Sequence, residues 1–336
     1  MDWSKGYSSR YYATIVDRAT WQDLSRFEVT GGTIERTDSD LLESADLDCI
    51  NYSETNEQWI RVWLDTIQDG DYLHTPLFTG LATSPKKSIN GVIEKTSIEC
   101  YSVLKPAQDT LLPRGWYAPI DINGGTLAKR LLSICGAPIE VAEDAKNLEY
   151  AIIAEDGETN LTMAWKVVIA IGWLIRIRSD GTIYIGPGET KSKWGFGILE
   201  NDMLEPNVDV EYDWYDCPNV FRANSGGYSA VARDDDPNSL YSVPTRGREI
   251  WREENDCDLA EGQSLTEYAK SRLNELQQTA VTISYNRRYH PEILVGDVVS
   301  LHYPAQNLDG DYLVTSQSIT LGHNAQTSEE AVKLWA

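Results

Sequence analysis

The chain has 336 residues, with 52 acidic against 29 basic side chains and a formal net charge of −23. A sequence that is 41% hydrophobic and 10% aromatic has too many core-forming residues to be disordered, and its length predicts about two or three domains. Because the surplus negative charge repels phosphate backbones, the composition excludes a nucleic-acid-binding protein.

Membrane and secretion signals are not found in the sequence. The longest apolar run, Val167–Ile175, is far shorter than the about 18 residues that span a bilayer, so we expect no membrane insertion. The segment Met1–Tyr7 lacks the basic and apolar regions of a signal peptide, which predicts synthesis and folding in a cytoplasm. The five cysteines are widely spaced, so we interpret them as free, mostly buried thiols.

The first third of the chain has the pattern of antiparallel strands joined by short turns. Tyr11–Val16 is rich in aromatic and β-branched residues, and Ser44–Ile50 alternates strictly, with its apolar side chains on one face. Turn signals separate the strands at Gly31–Gly32, Asp69–Asp71 and Asn90–Gly91. The pattern predicts a small antiparallel sandwich or barrel through about residue 105.

The middle of the chain contains helical patterns. Gly125–Cys135 predicts a helix that ends at a glycine–proline breaker. Its apolar positions are Leu127, Leu131 and Ile134. Thr159–Ala170 predicts a second helix, with Thr159 or Asn160 as its N-cap, and Leu174–Gly186 predicts a β-hairpin. Together these segments indicate a compact α/β unit.

The last third returns to strand patterns around one amphipathic helix. The predicted strands are Val208–Tyr215, Val220–Asn224, Tyr228–Ala232, Ala280–Tyr285, Val298–Tyr303 and Tyr312–Thr320. A capping box at Ser264–Glu267 opens the helix, near residues 264–278. The apolar side of this helix consists of Leu265, Tyr268, Ala269, Leu273 and Leu276. The predicted fold class is therefore α+β, mainly β.

Candidate chemical sites are few. Gly186–Lys191 lacks the spacing and the following helix of a phosphate loop, so a β-turn is the better interpretation. The four histidines are scattered over the chain, at His74, His290, His302 and His323. His302 is expected to point outward from its strand. Asp234–Asp236 and Asp309–Asp311 do not follow the twelve-position calcium loop, and solvated turns are the better interpretation.

One alternative function remains open on composition. With 52 acidic side chains, some pair falls at glycosidase-like separation by chance, so no catalytic couple is chosen. Eleven Trp and eighteen Tyr could stack on sugars. The tryptophans in periodic segments are better interpreted as core, and these are Trp59, Trp63, Trp165 and Trp173. The alternative is a secreted carbohydrate-active or carbohydrate-binding β protein. No catalytic, cofactor-binding or metal-ligating residue is predicted.

Five segments, taken in their order along the chain, point to one family. Tyr289–Leu301 contains a Val-Gly-Asp turn that leads into a strand, and Asn307–Ile319 contains a Gly-Asp-Tyr strand. Leu77–Leu81 and Ser97–Leu104 have the pattern of strands in a first barrel, and Ala164–Gly186 has that of an inserted unit. The chain resembles, over essentially its whole length, the baseplate hub proteins of tailed phages and phage-tail-like contractile particles.

The resemblance implies two tail-tube-like antiparallel β-barrel domains, at residues 1–115 and 201–336, with a small α/β domain inserted at 116–200. It implies a structural protein, not an enzyme and without cofactors, that forms a homotrimeric ring. The ring would adapt the hexameric tail tube to a three-fold spike or central fibre. Implied partners are the tail tube protein, the spike or fibre, the tape measure protein and other baseplate proteins. A third interpretation is another ring protein of the same tail, such as the distal tail protein, which would differ from a hub in symmetry rather than in class.

The resemblance also gives a place and a use for the acidic surplus. The implied location is the tail tip of the virion, assembled in the cytoplasm of the bacterial host. The lack of a fused hydrolase favours a short, structural hub of a contractile tail. DNA would pass through the lumen without specific binding, so we expect the strands that face the lumen to be enriched in Asp and Glu. Alternatively, the acids lie on the outer surface and serve solubility.

Overall fold

A computed structural model of the chain describes residues 2–3, 5–39, 41–91, 93–188, 191–197, 203–212, 214–215, 217–255, 257, 259, 263–278, 281–303, 308–322 and 325–334. Strands make up 49% of the structure and helices 15%, with large antiparallel sheets, which confirms the predicted α+β, mainly β class. None of the helices within these ranges is long and apolar enough to span a membrane.

The first part of the chain is a closed six-stranded barrel. Its strands are β1 (Ser8–Val16), β2 (Asp23–Thr37), β3 (Glu43–Ile50), β4 (Gln58–Gln68), β5 (Asp71–Asn90) and β6 (Ile93–Ser102). They pair in the order β1-β4-β5-β6-β3-β2, and β2 pairs back with β1. Every pairing is antiparallel. Ala45, Leu47 and Cys49 lie buried on the inner face of β3, as the alternation predicts.

The turn predicted at Gly31–Gly32 is wrong. Both glycines lie inside β2, where a bulge shifts the register with β3 between Val29 and Gly31. Gly32 has a φ of +137°, and a Cβ at this position would lie 2.1 Å from the carbonyl oxygen of Asp46. The glycines therefore bend one continuous strand, because only a residue without a side chain allows this close approach of β3.

The α/β unit follows the barrel. Its elements are α1 (Lys105–Asp109), β7 (Tyr117–Ala118), α2 (Gly124–Leu132), β8 (Ile139–Val141), β9 (Ile152–Ile153), α3 (Asn160–Ala170), β10 (Leu174–Ile177) and β11 (Ile183–Gly186). Both predicted helices and the β10–β11 hairpin are confirmed, and Thr159 caps α3 by accepting from the Thr162 N–H at 3.1 Å. The parallel pairing of β8 with β11 was not predicted.

The apolar side predicted for α2 is correct at Leu127 and Leu131 but wrong at Ile134, which is 40% exposed. After Leu132 the helix tightens into a 3-10 turn, which rotates Ile134 away from the core. The core of the unit is continuous with the barrel, because Val16 and Trp59 pack in the same cluster as the helices. The unit is therefore fixed to the barrel rather than tethered to it.

The remaining elements form a second six-stranded sheet and a smaller unit, which is inserted in the chain between two strands of that sheet. They are β12 (Ser192–Gly197), β13 (Met203–Tyr212), β14 (Val220–Ser225), β15 (Tyr228–Arg233), α4 (Val243–Arg246), β16 (Trp251–Glu254), α5 (Leu265–Gln278), β17 (Val281–Arg287), β18 (Val298–His302), β19 (Gly310–Thr320) and β20 (Thr327–Lys333). The second sheet has the order β13-β17-β20-β19-β18-β12, and all six strands contribute to one core.

The two six-stranded sheets are joined directly. Residues 33–37 of β2 pair with residues 316–320 of β19, which makes one continuous twelve-stranded sheet. β12, which precedes the predicted domain boundary at residue 200, pairs with β18. The division of the chain at residues 115 and 200 stays a prediction. Strand β20 was not predicted from the sequence.

The smaller unit consists of helix α5 packed on the sheet β15-β14-β16. The predicted capping box is confirmed, because the Ser264 N–H donates to a Glu267 carboxylate oxygen at 3.0 Å and the Ser264 Oγ accepts from the Glu267 N–H at 3.2 Å. The predicted apolar side of α5 packs against this sheet. All five cysteines are buried thiols that form no disulfide, as predicted.

Candidate functional site

Among the described histidines, His74 lies on β5, His290 follows β17 and His302 lies on β18. His302 is exposed on β18, which confirms its predicted orientation, and lies 3.4 Å from Asp309. Burial and the nearby Arg287 lower the pKa of His290 to about 4, so this imidazole is neutral at physiological pH. His323 lies outside the described residues. In the part of the chain that the structure describes, no three His, Cys, Asp or Glu side chains are arranged to hold a metal ion.

The glycine-rich segment, the acidic loop and the tryptophans named from the sequence occupy the following places in the fold. Strand β12, not a helix, follows the Gly186–Lys191 segment, of which Glu189 and Thr190 lie outside the described residues. In the acidic loop, Asp234 accepts from the Ser239 hydroxyl at 2.6 Å. Of the tryptophans, Trp59, Trp165 and Trp173 pack in the core of the α/β unit, while Trp63 stacks on His74 with ring centroids 3.9 Å apart.

One face of the twelve-stranded sheet carries short polar and acidic side chains across six adjacent strands, in the order β3, β2, β19, β20, β17 and β13. We name it the acidic face and define it by Ser44, Asp46, Asp48, Thr33, Glu35, Ser316, Ser318, Thr320, Ser328, Glu330, Thr282, Ser284, Asn286, Asn207, Asp209 and Glu211. Six of these residues are carboxylates and none is Lys or Arg. The acidic face crosses from the first barrel to the second sheet without interruption.

Cross-strand pairing places these side chains beside one another. Thr33 lies opposite Asp46, Ser318 lies opposite Glu35, and Glu330 lies opposite Ser284. The Ser318 hydroxyl donates to the Glu35 carboxylate at 2.6 Å. Where the two sheets join, the face carries mostly short hydroxyl side chains around the longer Glu35. The arrangement forms a negatively charged surface.

Behind the acidic face, buried ionic side chains join the two sheets. Arg287 and Glu329 form an ion pair whose side chains are 1% and 0% exposed, with the Arg287 Nε–H donating to a Glu329 oxygen at 2.8 Å. The Gln317 amide donates to Glu329 at 2.5 Å, and the Gln317 carbonyl accepts from Arg36 at 3.2 Å. Arg36 in turn lies 3.7 Å from Glu43. The chain of contacts runs from β3 of the barrel to β17.

These buried ions were not predicted, although their positions in the sequence carry a signal. In β17 the buried positions are Val281, Ile283, Tyr285 and Arg287, so the arginine occupies an inward position of an alternating strand. Glu329 likewise shares the buried side of β20 with Ala331. A charged residue at an inward position predicts a buried partner, but the partner itself comes from another strand.

The aspartate of the Val-Gly-Asp turn joins three parts of the structure. Asp297 is fully buried and accepts from the Arg176 guanidinium at 2.8 Å, the Lys193 ammonium at 2.9 Å and the Leu294 N–H at 2.9 Å. Arg176 belongs to β10 of the α/β unit and Lys193 to β12. One carboxylate therefore holds the α/β unit, the edge strand β12 and the turn before β18 together.

Asp297→Asn is expected to lower the free energy of unfolding by about 2 kcal/mol, because the amide keeps the shape but removes the charge that two cations share. Equilibrium urea unfolding measures the change. The control is Asp311→Asn, an exposed position on β19, for which we expect a change within about 0.5 kcal/mol. Equal effects of the two substitutions would show that the buried contacts of Asp297 do not stabilise the fold.

Comparisons with known proteins agree on the fold. No protein-family model and no curated protein sequence matches the chain. Similar solved structures include a tail protein from Neisseria meningitidis, with 15% identity, a TM-score of 0.72 and coverage of 98% of this chain and 97% of that one. The 43 kDa tail protein of prophage MuSo2 from Shewanella oneidensis has 14% identity, a TM-score of 0.70 and coverage of 97% of each chain.

A third structure, the prophage tail protein gp18 from Listeria monocytogenes, has 11% identity and a TM-score of 0.55, with coverage of 96% of this chain and 94% of that one. All three matches extend over nearly the whole of both chains, so the similarity includes both sheets and the α/β unit. The chain therefore has the fold of phage tail proteins, which confirms the resemblance seen in the sequence at the level of fold.

Proposed function

We propose that the protein is a structural baseplate hub subunit of a phage or phage-derived tail. The observation that carries the proposal is the twelve-stranded sheet, in which two six-stranded halves lie side by side and share one acidic face. The fold shared with phage tail proteins supports a place in the virion tail. The role is structural rather than enzymatic, with assembly in the bacterial cytoplasm.

The double sheet supports a homotrimer. If each half takes the place of one tube-like subunit, three copies supply six such positions around one axis. A ring of this kind adapts a hexameric tail tube to a three-fold spike or central fibre. Its partners are the tail tube protein, the spike or fibre, the tape measure protein and other baseplate proteins of a contractile tail.

The acidic face is proposed to line the channel of the ring. Carboxylates and short hydroxyl side chains without Lys or Arg offer DNA phosphates no attractive contact, so DNA slides past without specific binding. In each subunit, residues 1–115 and 201–336 would form the two tube-like domains, and residues 116–200 the inserted α/β domain.

Native mass spectrometry and an electron cryo-microscopy map of the assembled protein test this function. We expect a trimer with three-fold symmetry and the acidic face on its inner wall. A monomer that hydrolyses polysaccharide would overturn the hub and support the carbohydrate-active alternative. A ring with six-fold symmetry, or an acidic face on the outside, would contradict the adapter and the channel lining respectively.

Charge reversal on the acidic face gives a functional prediction. The triple variant Asp46→Lys, Asp209→Lys and Glu330→Lys is expected to raise the affinity of the assembled ring for duplex DNA about tenfold or more at low salt, because the added cations attract phosphates. Fluorescence anisotropy measures the affinity. The control carries Glu140→Lys, Asp156→Lys and Glu275→Lys, which have the same charge change outside the face. Equal binding by both variants would contradict the channel assignment.

A further inference from the structure

A cavity of about 130 Å³ lies where the first barrel, the α/β unit and the second sheet meet. Its walls include Arg36, Glu43, Trp165, Leu174, Arg176 and Val295. Thr37 and Asp38, which also line it, are exposed, so the cavity opens to solvent on their side. A volume of this size accommodates a few water molecules or one small organic ion.

Two arginines on the walls are held by hydrogen bonds from their terminal nitrogens, but their Nε–H groups make none. Arg36 donates to the Gln317 carbonyl at 3.2 Å and to the Ser179 hydroxyl at 3.1 Å through its terminal nitrogens. Arg176 donates through Nη1 to Asp297 at 2.8 Å. The Nε–H of both arginines is buried and has no hydrogen-bond partner among the residues that the structure describes. Because buried donors normally have a hydrogen-bond partner, we expect a bound group in the cavity to accept from them.

Glu43 supplies a third unpaired group. Its side chain is 2% exposed, one oxygen lies 3.7 Å from the Arg36 Nε, and the other has no partner within the described residues. Burial, together with a smaller contribution from the Asp180 carboxylate, raises the pKa of Glu43 to about 8 despite the attraction of Arg36. The Glu43 carboxyl is therefore protonated at neutral pH. Arg36 and Arg176 are then the cations on the walls of the cavity, and Asp38 lies at its opening.

We propose that this junction cavity binds a small carboxylate, whose oxygens accept from the Nε–H groups of Arg36 and Arg176. The carboxylate has one oxygen for each guanidinium, and the apolar walls of Trp165, Leu174 and Val295 pack against its alkyl part. A phosphate group fits less well, because its further oxygens would lose water against apolar walls. This inference does not depend on the proposed function.

The carboxylate has two possible sources. It is either a free small acid or the acidic side chain of a protein segment that reaches in from the surface. A groove of about 390 Å³ along α3 adjoins the cavity and shares Asp38 and Trp165 with it. Thr159 and Ile169 form part of this groove, which gives a protein segment room to lie beside the opening.

Calorimetry and thermal unfolding of the full chain test the proposal with isovalerate, its neutral amide isovaleramide and inorganic phosphate at constant ionic strength. We expect isovalerate to bind and to raise the Tm, and the other two to do neither. Binding of phosphate tighter than isovalerate, equal effects of the amide, or no binding by any carboxylate would overturn the proposal; in the last case water alone fills the cavity.

Two variants identify the site. Arg176→Lys keeps the charge but removes the Nε–H, and is expected to weaken isovalerate binding about tenfold or more. Glu43→Gln is isosteric and uncharged. The wild type is expected to lose affinity about tenfold between pH 7 and pH 9, because ionised Glu43 repels the ligand, whereas the Glu43→Gln variant keeps its affinity. The same pH dependence in both proteins would contradict the assignment of Glu43 to the site.

The source of the carboxylate is distinguished with an N-acetylated, amidated peptide that contains one central glutamate. If a protein segment is the natural source, the peptide binds more tightly than isovalerate, and Ile169→Arg in the groove removes that advantage. If a free acid is the source, isovalerate binds more tightly and Ile169→Arg leaves its affinity unchanged. Failure of the peptide and isovalerate alike overturns the binding site itself.

Discussion

Glu329→Ala is expected to destabilise the protein by about 3–5 kcal/mol, because it leaves the guanidinium of Arg287 buried without its counter-ion. The side chains of Arg287 and Glu329 are 1% and 0% exposed, so water cannot replace the lost carboxylate. The substitution also removes one of the two acceptors of the Gln317 amide on β19, and the Ile293 carbonyl remains as the other. Equilibrium urea unfolding followed by tryptophan fluorescence measures the loss.

The control for this variant is the next residue of the same strand. Glu330 points outward onto the acidic face and is exposed, so Glu330→Ala is expected to change the free energy of unfolding by no more than about 0.5 kcal/mol. The double variant Arg287→Met with Glu329→Leu removes both charges and is expected to recover most of the stability that Glu329→Ala loses. No recovery in the double variant would show that packing, not the uncompensated charge, causes the loss.

Local patterns in the sequence predict those elements whose stability is decided locally. Strand β3 alternates because one face is buried in the barrel, and its pattern needs no knowledge of its neighbours. Helix α3 begins at Thr159 because the threonine side chain satisfies a free backbone N–H within three residues. The capping box of α5 is likewise local. Such elements could be placed from the sequence to within a few residues.

Elements that depend on distant partners could not be predicted. Strand β20 has the sequence TSEEAVK, in which two adjacent glutamates hide the alternation. Glu329 is tolerated at an inward position only because Arg287 and Gln317 meet it from neighbouring strands. The parallel pairings β8–β11 and β12–β18 join segments far apart in the chain, and nothing local marks them. These contacts are set by tertiary structure alone.

The candidate site, too, depends partly on local sequence patterns and partly on contacts between distant segments. The acidic surplus predicts a negatively charged surface, and its residues are the outward halves of alternating strands such as β3 and β13. Their union into one face depends on the pairing of β2 with β19, which joins residues 279 to 287 positions apart, from Ser316–Thr37 to Thr320–Thr33. The junction cavity depends on the same contact, because Arg36 on β2 is held by Gln317 on β19.

The bend in β2 makes this contact possible, and Gly32 is the residue on which it depends. Gly32→Ala is expected to destabilise the protein by more than about 3 kcal/mol, because a side chain at this backbone conformation is strained and its Cβ would overlap the Asp46 carbonyl oxygen. The distance from that Cβ to the oxygen is 2.1 Å, so β2 and β3 would have to move apart.

The adjacent glycine is the matched control. A Cβ at Gly31 would meet only the Leu321 carbonyl oxygen, at an ordinary contact distance of 3.7 Å, so Gly31→Ala is expected to change the free energy of unfolding by no more than about 1 kcal/mol. Urea unfolding measures both variants. Amide hydrogen exchange is expected to show faster exchange in Gly32→Ala at residues 33–37 and 316–320, where β2 pairs with β19. If exchange there stays at the wild-type rate while stability falls, the bend does not hold the two sheets together, because the damage would then be confined to the first barrel.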